Sequence, residues 1–195
     1  MAEIFNERLL FPSYEIIGGK KIMASAANTI HNVISGRLYM FIGTYLDAKE
    51  LGYCFIDGAD IYFPDGSLFQ PDFSIVLKEN EQIISWGGDI YGSPDMVVEI
   101  LSRSTKKRDI TIKKDTYERN GVREYWIIDP YMKAISVYLL RDCKYFLDDE
   151  YILFDDKEFD KLTDEEKADV KHEVPVSILD GLTIPLNYIF KWGYR

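Results

Sequence analysis

Strand-like and helix-like patterns alternate along this chain, and the class they predict is α/β (α+β). Three observations carry it. Residues 14–25, YEIIGGKKIMAS, read as an N-terminal β-hairpin that turns at Gly18 and Gly19. Between Asn28 and Leu51 the apolar positions Ile30, Val33, Ile34, Leu38, Phe41, Ile42, Tyr45 and Leu46 recur at helical spacing. From Gln70 to Pro130 two short apolar strands, a polar helix and a third apolar strand follow in turn.

Taken in order, the hairpin places Glu15 on its first strand, and Asn28 is the expected N-cap of the first helix. His31 lies near the start of that helix and reads first as a structural histidine. Tyr53 to Phe63 reads as one strand, Pro64-Asp65-Gly66 as a turn, and Asp72 to Leu77 as the next strand. Residues 78–94 are polar and glycine-containing, a loop expected to make a short excursion over the candidate site. Asp95 to Ser102 is a strand, and Thr105 to Asn120 a helix with Ser102 and Ser104 as cap candidates and Gly121 as its stop. Arg123 to Asp129 is too continuously apolar for a surface strand. Ala134 to Leu140 and Lys144 to Phe154 suggest antiparallel strands, Asp155 to Lys171 an acidic and weakly helical insertion, and Val174 to Phe190 short segments that close the core. No repeat or low-complexity linker divides residues 1–195, so one domain is expected, with the acidic insertion near 155–171 inside it.

Composition narrows the class of function. At 195 residues and 47% hydrophobic content the chain can bury a substantial core, which argues against disorder. Cys54 and Cys143 form no ligand cluster and read as reduced packing residues. Without a signal-like start or an apolar run of about 18 residues, the expectation is a cytoplasmic protein with no membrane partner. Net charge is 23 − 33 = −10, which by itself opposes a nucleic-acid partner. Its distribution is uneven. Asp148 to Glu173 holds twelve acidic and four basic residues, a local −8, whereas Arg103 to Lys114 holds six basic residues against Asp109, a local +5. That basic run reads either as a solvated helix start or as a phosphate-facing rim.

The chemistry gathers around Glu99. A carboxylate inside the apolar run Met96, Val97, Val98, Ile100, Leu101 is costly to bury unless it is paired, hydrogen-bonded or holding a cation. Asp72 opens the neighbouring strand directly after Pro71, and Asp109, Lys113 and Tyr117 recur every four residues on one helix face. Two carboxylates and a lysine from adjacent elements suggest a divalent metal and a phosphate. Mg²⁺ takes few carboxylate oxygens and keeps waters. Asp72 and Glu99 would hold it, the carbonyl of Ile100 could add an oxygen, and Lys113 would orient the attacking water and stabilise phosphoryl charge. Plainer readings stand beside these. Asp72 could cap a strand, Glu99 and Lys113 could form a structural ion pair, and Lys114 would replace Lys113 if the helix phase were one residue off. Tyr117 reads as a packing residue with its hydroxyl at the rim.

PDFSIV, VVEILS, the D-x-x-x-K-x-x-x-Y helix of Asp109, Lys113 and Tyr117, and GVREYWIIDP together resemble the Uma-type restriction endonuclease family of the PD-(D/E)xK nuclease superfamily. The likeness runs from YEIIGG and His31 to about Leu140, with a weaker echo in ILDGLTIPL. It implies a restriction-endonuclease-like mixed central sheet flanked by helices, with a metal at the carboxylates. Asp72 takes the PD position and Glu99 the acidic position of the second motif strand. Leu101 stands where the superfamily usually has lysine, and Lys113 looks like the displaced replacement. Glu15 matches an acidic position that touches the metal shell or its water. The implied activity is a Mg²⁺-dependent DNA endonuclease, with Mn²⁺ as the alternative ion. Lys106, Lys107, Arg108, Lys114 and Tyr117 would form the rim, and a twofold homodimer would suit cutting of both strands. The competing function is a catalytically quiet member of the fold that binds nucleic acid or protein. A metal-free hydrolase using Asp72 and Glu99 as an acid–base pair stands a distant third.

Overall fold

A computed structural model describes residues 14–23, 29–56, 59–102 and 106–192. Its centre is a six-stranded mixed sheet in the order β11-β10-β9-β8-β6-β3. The strands are β3 (Gly52–Ile56), β6 (Phe73–Leu77), β8 (Met96–Ile100), β9 (Glu124–Asp129), β10 (Ala134–Arg141) and β11 (Lys144–Ile152). Only β8 and β9 run parallel; the other neighbours are antiparallel. Every residue of β6 and β8 is buried, as expected for strands covered on both faces. Gly52 is required where β3 meets β6, because a Cβ there would lie 2.4 Å from the carbonyl oxygen of Val76.

Alternation along the strands sends side chains to two separate cores. Ile75, Met96, Val98, Trp126, Ile135 and Val137 face one side. There they meet helix α1 (Thr29–Leu38), which continues through a π-helical turn at Tyr39–Gly43 into α2 (Thr44–Lys49), and the C-terminal segments. Those segments are β12 (Glu173–Pro175), β13 (Thr183–Pro185) and α7 (Leu186–Ile189). Glu124 fastens them down: its buried carboxylate accepts hydrogen bonds from the Trp126 indole at 2.7 Å and the Ile178 N–H at 2.9 Å. Val76, Val97, Leu101, Tyr125 and Ile127 face the other side. That side is covered by the 106–119 helix and by a small sheet ordered β2-β1-β5-β4-β7. The helix comprises α3 (Lys106–Arg108), a π-helical stretch Asp109–Lys113 and α4 (Lys114–Arg119). The small sheet comprises β1 (Tyr14–Ile17), β2 (Lys20–Met23), β4 (Ile61–Tyr62), β5 (Leu68–Phe69) and β7 (Ile90–Tyr91).

The mixed sheet with flanking helices and the N-terminal hairpin are as the sequence indicates. Gly18 and Gly19 both adopt positive φ, the turn that matches the twist of a two-residue hairpin. Several expectations need correction. Tyr53 to Phe63 is not one strand: β3 belongs to the central sheet and β4 to the small one, an exchange that apolar patterning cannot report. Residues 78–94 hold a 3-10 helix (Lys78–Ile83) and β7, and they leave and rejoin the central sheet at the Leu77–Met96 end, away from Asp72 and Ile100. Asp95 fastens that end by accepting the Leu77 N–H at 2.8 Å. Cys143 is exposed in the β10–β11 turn and not a packing residue. Asn28, Ser104 and Thr105 lie outside the described residues. The acidic stretch forms two short helices, α5 (Asp156–Phe159) and α6 (Asp164–Asp169), each opened by a capping box. Among the described residues no helix is long and apolar enough to cross a membrane.

Candidate active site

Strand register brings the two motif carboxylates together. Phe73 pairs with Val98, so one step further Asp72 stands opposite Glu99 on the same face of the sheet. Asp72 accepts the Ile100 N–H at 2.6 Å through Oδ2, and its Oδ1 lies 3.4 Å from Nδ1 of His31 on α1. Glu99 is buried. Its Oε1 accepts hydrogen bonds from Lys113 Nζ at 2.8 Å and from the Tyr117 hydroxyl at 2.6 Å. The four-residue spacing thus delivers both groups to one oxygen.

Lys113 is the hub, its side chain only 3% exposed. Besides Glu99 it meets Glu15 Oε1 at 2.7 Å and Asp109 Oδ1 at 3.8 Å, and its ammonium lies 5.5 Å from the centre of the Phe69 ring. Glu15 reaches it because alternation along β1 turns Glu15 and Ile17 inward. The second oxygen of Glu15 lies 3.3 Å from Arg108. The Tyr125 hydroxyl donates to the backbone carbonyl of Asp109 at 3.0 Å and steadies the π-helical turn.

Crowded carboxylates shift the titrations. Burial pushes the Glu99 carboxyl up to about 8 despite the pull of Lys113, and Asp109, Asp72 and Glu15 add to the rise. Burial works against the charge on Lys113, but Glu99, Glu15 and Asp109 outweigh it and hold the ammonium above its ordinary range. Burial likewise lowers His31, yet the hydrogen bond and charge of Asp72 leave it raised. Tyr117 is raised well above its usual value, first by burial and then by Glu99, so its hydroxyl stays a donor.

The structure therefore brings together Asp72, Glu99, Lys113, Tyr117 and Glu15, with Ile100 adjoining through its backbone. It separates the expected rim. Tyr117 is fully buried and Arg108 turns inward to Glu15, so neither lies at the rim. Lys106 pairs with Asp129 at 2.9 Å, Lys107 is exposed, and Lys114 lies over the Tyr138 ring at 4.0 Å, which fixes the helix phase on Lys113. His31 and Arg108 join the site through partners far away in sequence. The resembling stretch marked His31 and the basic run marked Arg108 as a rim residue, but nothing local marked the partner that either one takes. Among the described residues no three His, Cys, Asp or Glu side chains are grouped to hold a metal ion. Mg²⁺ commonly takes only one or two carboxylates and keeps its waters, and Asp72 with Glu99 offers that donor chemistry.

Residues 7–173 match the model of the Uma2 family, described as "Putative restriction endonuclease". The chain belongs to the Uma2 family. A crystal structure described as a putative nuclease belonging to DUF820, from Anabaena variabilis ATCC 29413, superposes with a TM-score of 0.69 at 20% identity. The match covers 95% of this chain and 96% of that one, so the Uma2 chain shares its fold nearly end to end. No curated protein matches.

Proposed function

We propose that this Uma2 protein is a Mg²⁺-dependent endonuclease that hydrolyses DNA phosphodiester bonds, with Mn²⁺ as the alternative ion. The observation that carries the reading is the convergence of Lys113 and Tyr117 on Glu99, directly across the strand pair from Asp72. Asp72 and Glu99, with the carbonyl of Ile100, are the residues assigned to the ion. Once bound, Mg²⁺ supplies charge neutralisation on the phosphoryl oxygens and a more acidic water. Lys113 contributes a fixed positive charge toward the phosphate and the attacking water. Glu15 and Asp109 keep Lys113 protonated and aimed, and Tyr117 holds the Glu99 carboxylate in one orientation. Asp72 is the group that reaches solvent, its side chain 20% exposed, so substrate approaches from the Asp72 and His31 side. Glu99 must give up its proton before it serves as a ligand, which ties activity to rising pH.

One observation favours a second reading. Lys113 is already satisfied by buried carboxylates, as in a structural ion network, and this fits a catalytically quiet nuclease fold that binds nucleic acid or protein. The two readings separate in one experiment. Wild type, Asp72→Asn and Lys113→Ala are incubated with plasmid and oligonucleotide DNA and Mg²⁺ or Mn²⁺, with calorimetric metal titration and thermal melts in parallel. The nuclease reading expects Asp72→Asn to lose metal uptake and cleavage. It also expects Lys113→Ala to lose roughly 10²–10³ in rate while still binding metal. Wild type that neither cleaves nor takes up metal would leave the quiet module.

A further inference from the structure

A strand at the edge of a sheet presents unpaired backbone groups, and proteins guard such edges with charge, proline, bulges or very short strands. Most edges here are guarded. β11 carries Lys144, Asp148, Asp149 and Glu150, and its ladder with β10 shifts register between Val137 and Tyr138. β2 opens on Lys20 and Lys21, β7 has two residues, and β12 and β13 each hold a proline. β3, the other edge of the central sheet, has none of these devices. Its sequence, Gly-Tyr-Cys-Phe-Ile, holds no charge and no proline, and it pairs with β6 in unbroken register. The Lys78 N–H donates to the Leu51 carbonyl at 2.8 Å, so by alternation Tyr53 and Phe55 exchange their backbone bonds with β6. Cys54 and Ile56 therefore aim N–H and C=O at the open edge, where no strand among the described residues meets them.

We propose that β3 is the seam of a twofold homodimer, pairing antiparallel with β3 of a second copy in a register centred on Cys54. Self-complementarity is the first argument. In that register Tyr53 lies opposite the partner's Phe55, and Phe55 opposite the partner's Tyr53, two aromatic pairs on one face. On the other face Ile56 falls opposite the partner's Gly52, whose missing side chain leaves it room. Charge is the second. Two chains of net −10 repel each other, and β3 lets them pair without setting one charge against another. β11 paired with itself would instead crowd Asp148, Asp149 and Glu150 against their copies. Exposed apolar side chains beside the strand are the third. Trp86 is exposed and stands edge-on to the Tyr53 ring at 4.8 Å, and Ile56 is exposed at the strand end. Gly43 packs against the Cys54 sulfur, which sets the π-helical turn and its exposed Tyr39 and Met40 alongside. The twofold axis stands normal to the sheet. Two six-stranded sheets thus become one, with both Glu99 carboxylates on the same face and five strand spacings, roughly 24 Å, apart across it. The seam does not depend on the nuclease reading.

The test reads association and backbone protection on the full chain. Sedimentation across a dilution series should show a dimer at high concentration that dissociates on dilution. Hydrogen exchange followed by NMR should find the Cys54 and Ile56 amides protected in the dimer. Dilution should release those two, while Tyr53 and Phe55, bonded to β6, stay protected. Docking through side chains alone would not produce that alternation. Ile56→Lys, at an exposed position, should weaken association roughly tenfold or more with the melting temperature preserved, because each dimer would bury two unpaired ammonium groups. Phe146→Lys, at an exposed position on β11, should leave association unchanged. If Ile56→Lys does not fold, the wild-type exchange pattern still decides. Three results would overturn the proposal: a monomer at every concentration, a dimer whose Cys54 and Ile56 amides exchange freely, or a dimer that Phe146→Lys breaks and Ile56→Lys leaves intact.

Discussion

Glu99 keeps its proton to higher pH than an exposed glutamate because its neighbours leave it little choice. Burial removes the water that would solvate its charge, and Asp72, Glu15 and Asp109 add repulsion that Lys113 only partly offsets. The consequence for stability has a definite sign. A carboxyl whose folded pKa rises from 4.5 to about 8 binds more protons folded than unfolded. Its contribution is full below about pH 4.5 and is lost as pH climbs toward 8. Glu99→Gln cannot ionise, so chemical denaturation should show wild type losing ground to it between about pH 5 and pH 8. A constant difference across that window would refute the assignment. Lys113 does not titrate there, since its raised pKa places its own transition above that range. Glu99 could be found in the sequence because a charge in an apolar strand has to be compensated locally. The partners of His31 and Arg108 could not, because Asp72 and Glu15 meet them only once the sheet and the hairpin have formed.

Element by element, legibility followed the length of the pattern. The 106–119 helix, β8, β9 and the β10–β11 hairpin carry sustained periodicity, and each lies where the sequence puts it. Strands β4, β5 and β7 have two residues each, too short for any alternation to register, so the small sheet went unread beyond its hairpin. Yet that sheet delivers Glu15. The β1–β2 hairpin is tied to the 106–119 helix by Glu15 to Lys113 at 2.7 Å and to Arg108 at 3.3 Å. A hairpin of two four-residue strands is marginal alone, so this tie and the inward Ile17 must hold it. Glu15→Ala should therefore destabilise the protein, by less than the ~3–5 kcal/mol of a fully broken buried pair, because Glu99 and Asp109 still face Lys113. Hydrogen exchange should show the loss first at the Tyr14–Ile17 amides, and unchanged protection there would mean that the hairpin is held by its apolar contacts alone.

For the whole molecule, net charge and local charge point in opposite directions, and DNA binding depends on which the DNA meets. The −10 total would repel a polyanion, but its acidic concentration follows β11, the edge strand. Lys171 ties this stretch back to Asp149 on that strand. Glu99 lies on β8, three strands in from the edge, with the lysine-bearing helix over its face. With Arg108 drawn inward to Glu15, the cations left at the surface of that helix are Lys106, Lys107 and Lys114 among the described residues from 106 to 114. Each phosphate contact contributes about 0.9 to the slope of log affinity against log salt on duplex DNA and about 0.7 on a single strand. Replacing the three lysines by alanine should therefore lower that slope by roughly two to three units and weaken binding alike on every sequence. Fluorescence anisotropy across a salt series measures both. Arg108→Ala should behave differently, lowering stability more than the salt slope, because its charge is spent on Glu15. A salt slope untouched by the triple replacement would make the basic run a solvated helix start and move the DNA path to another face.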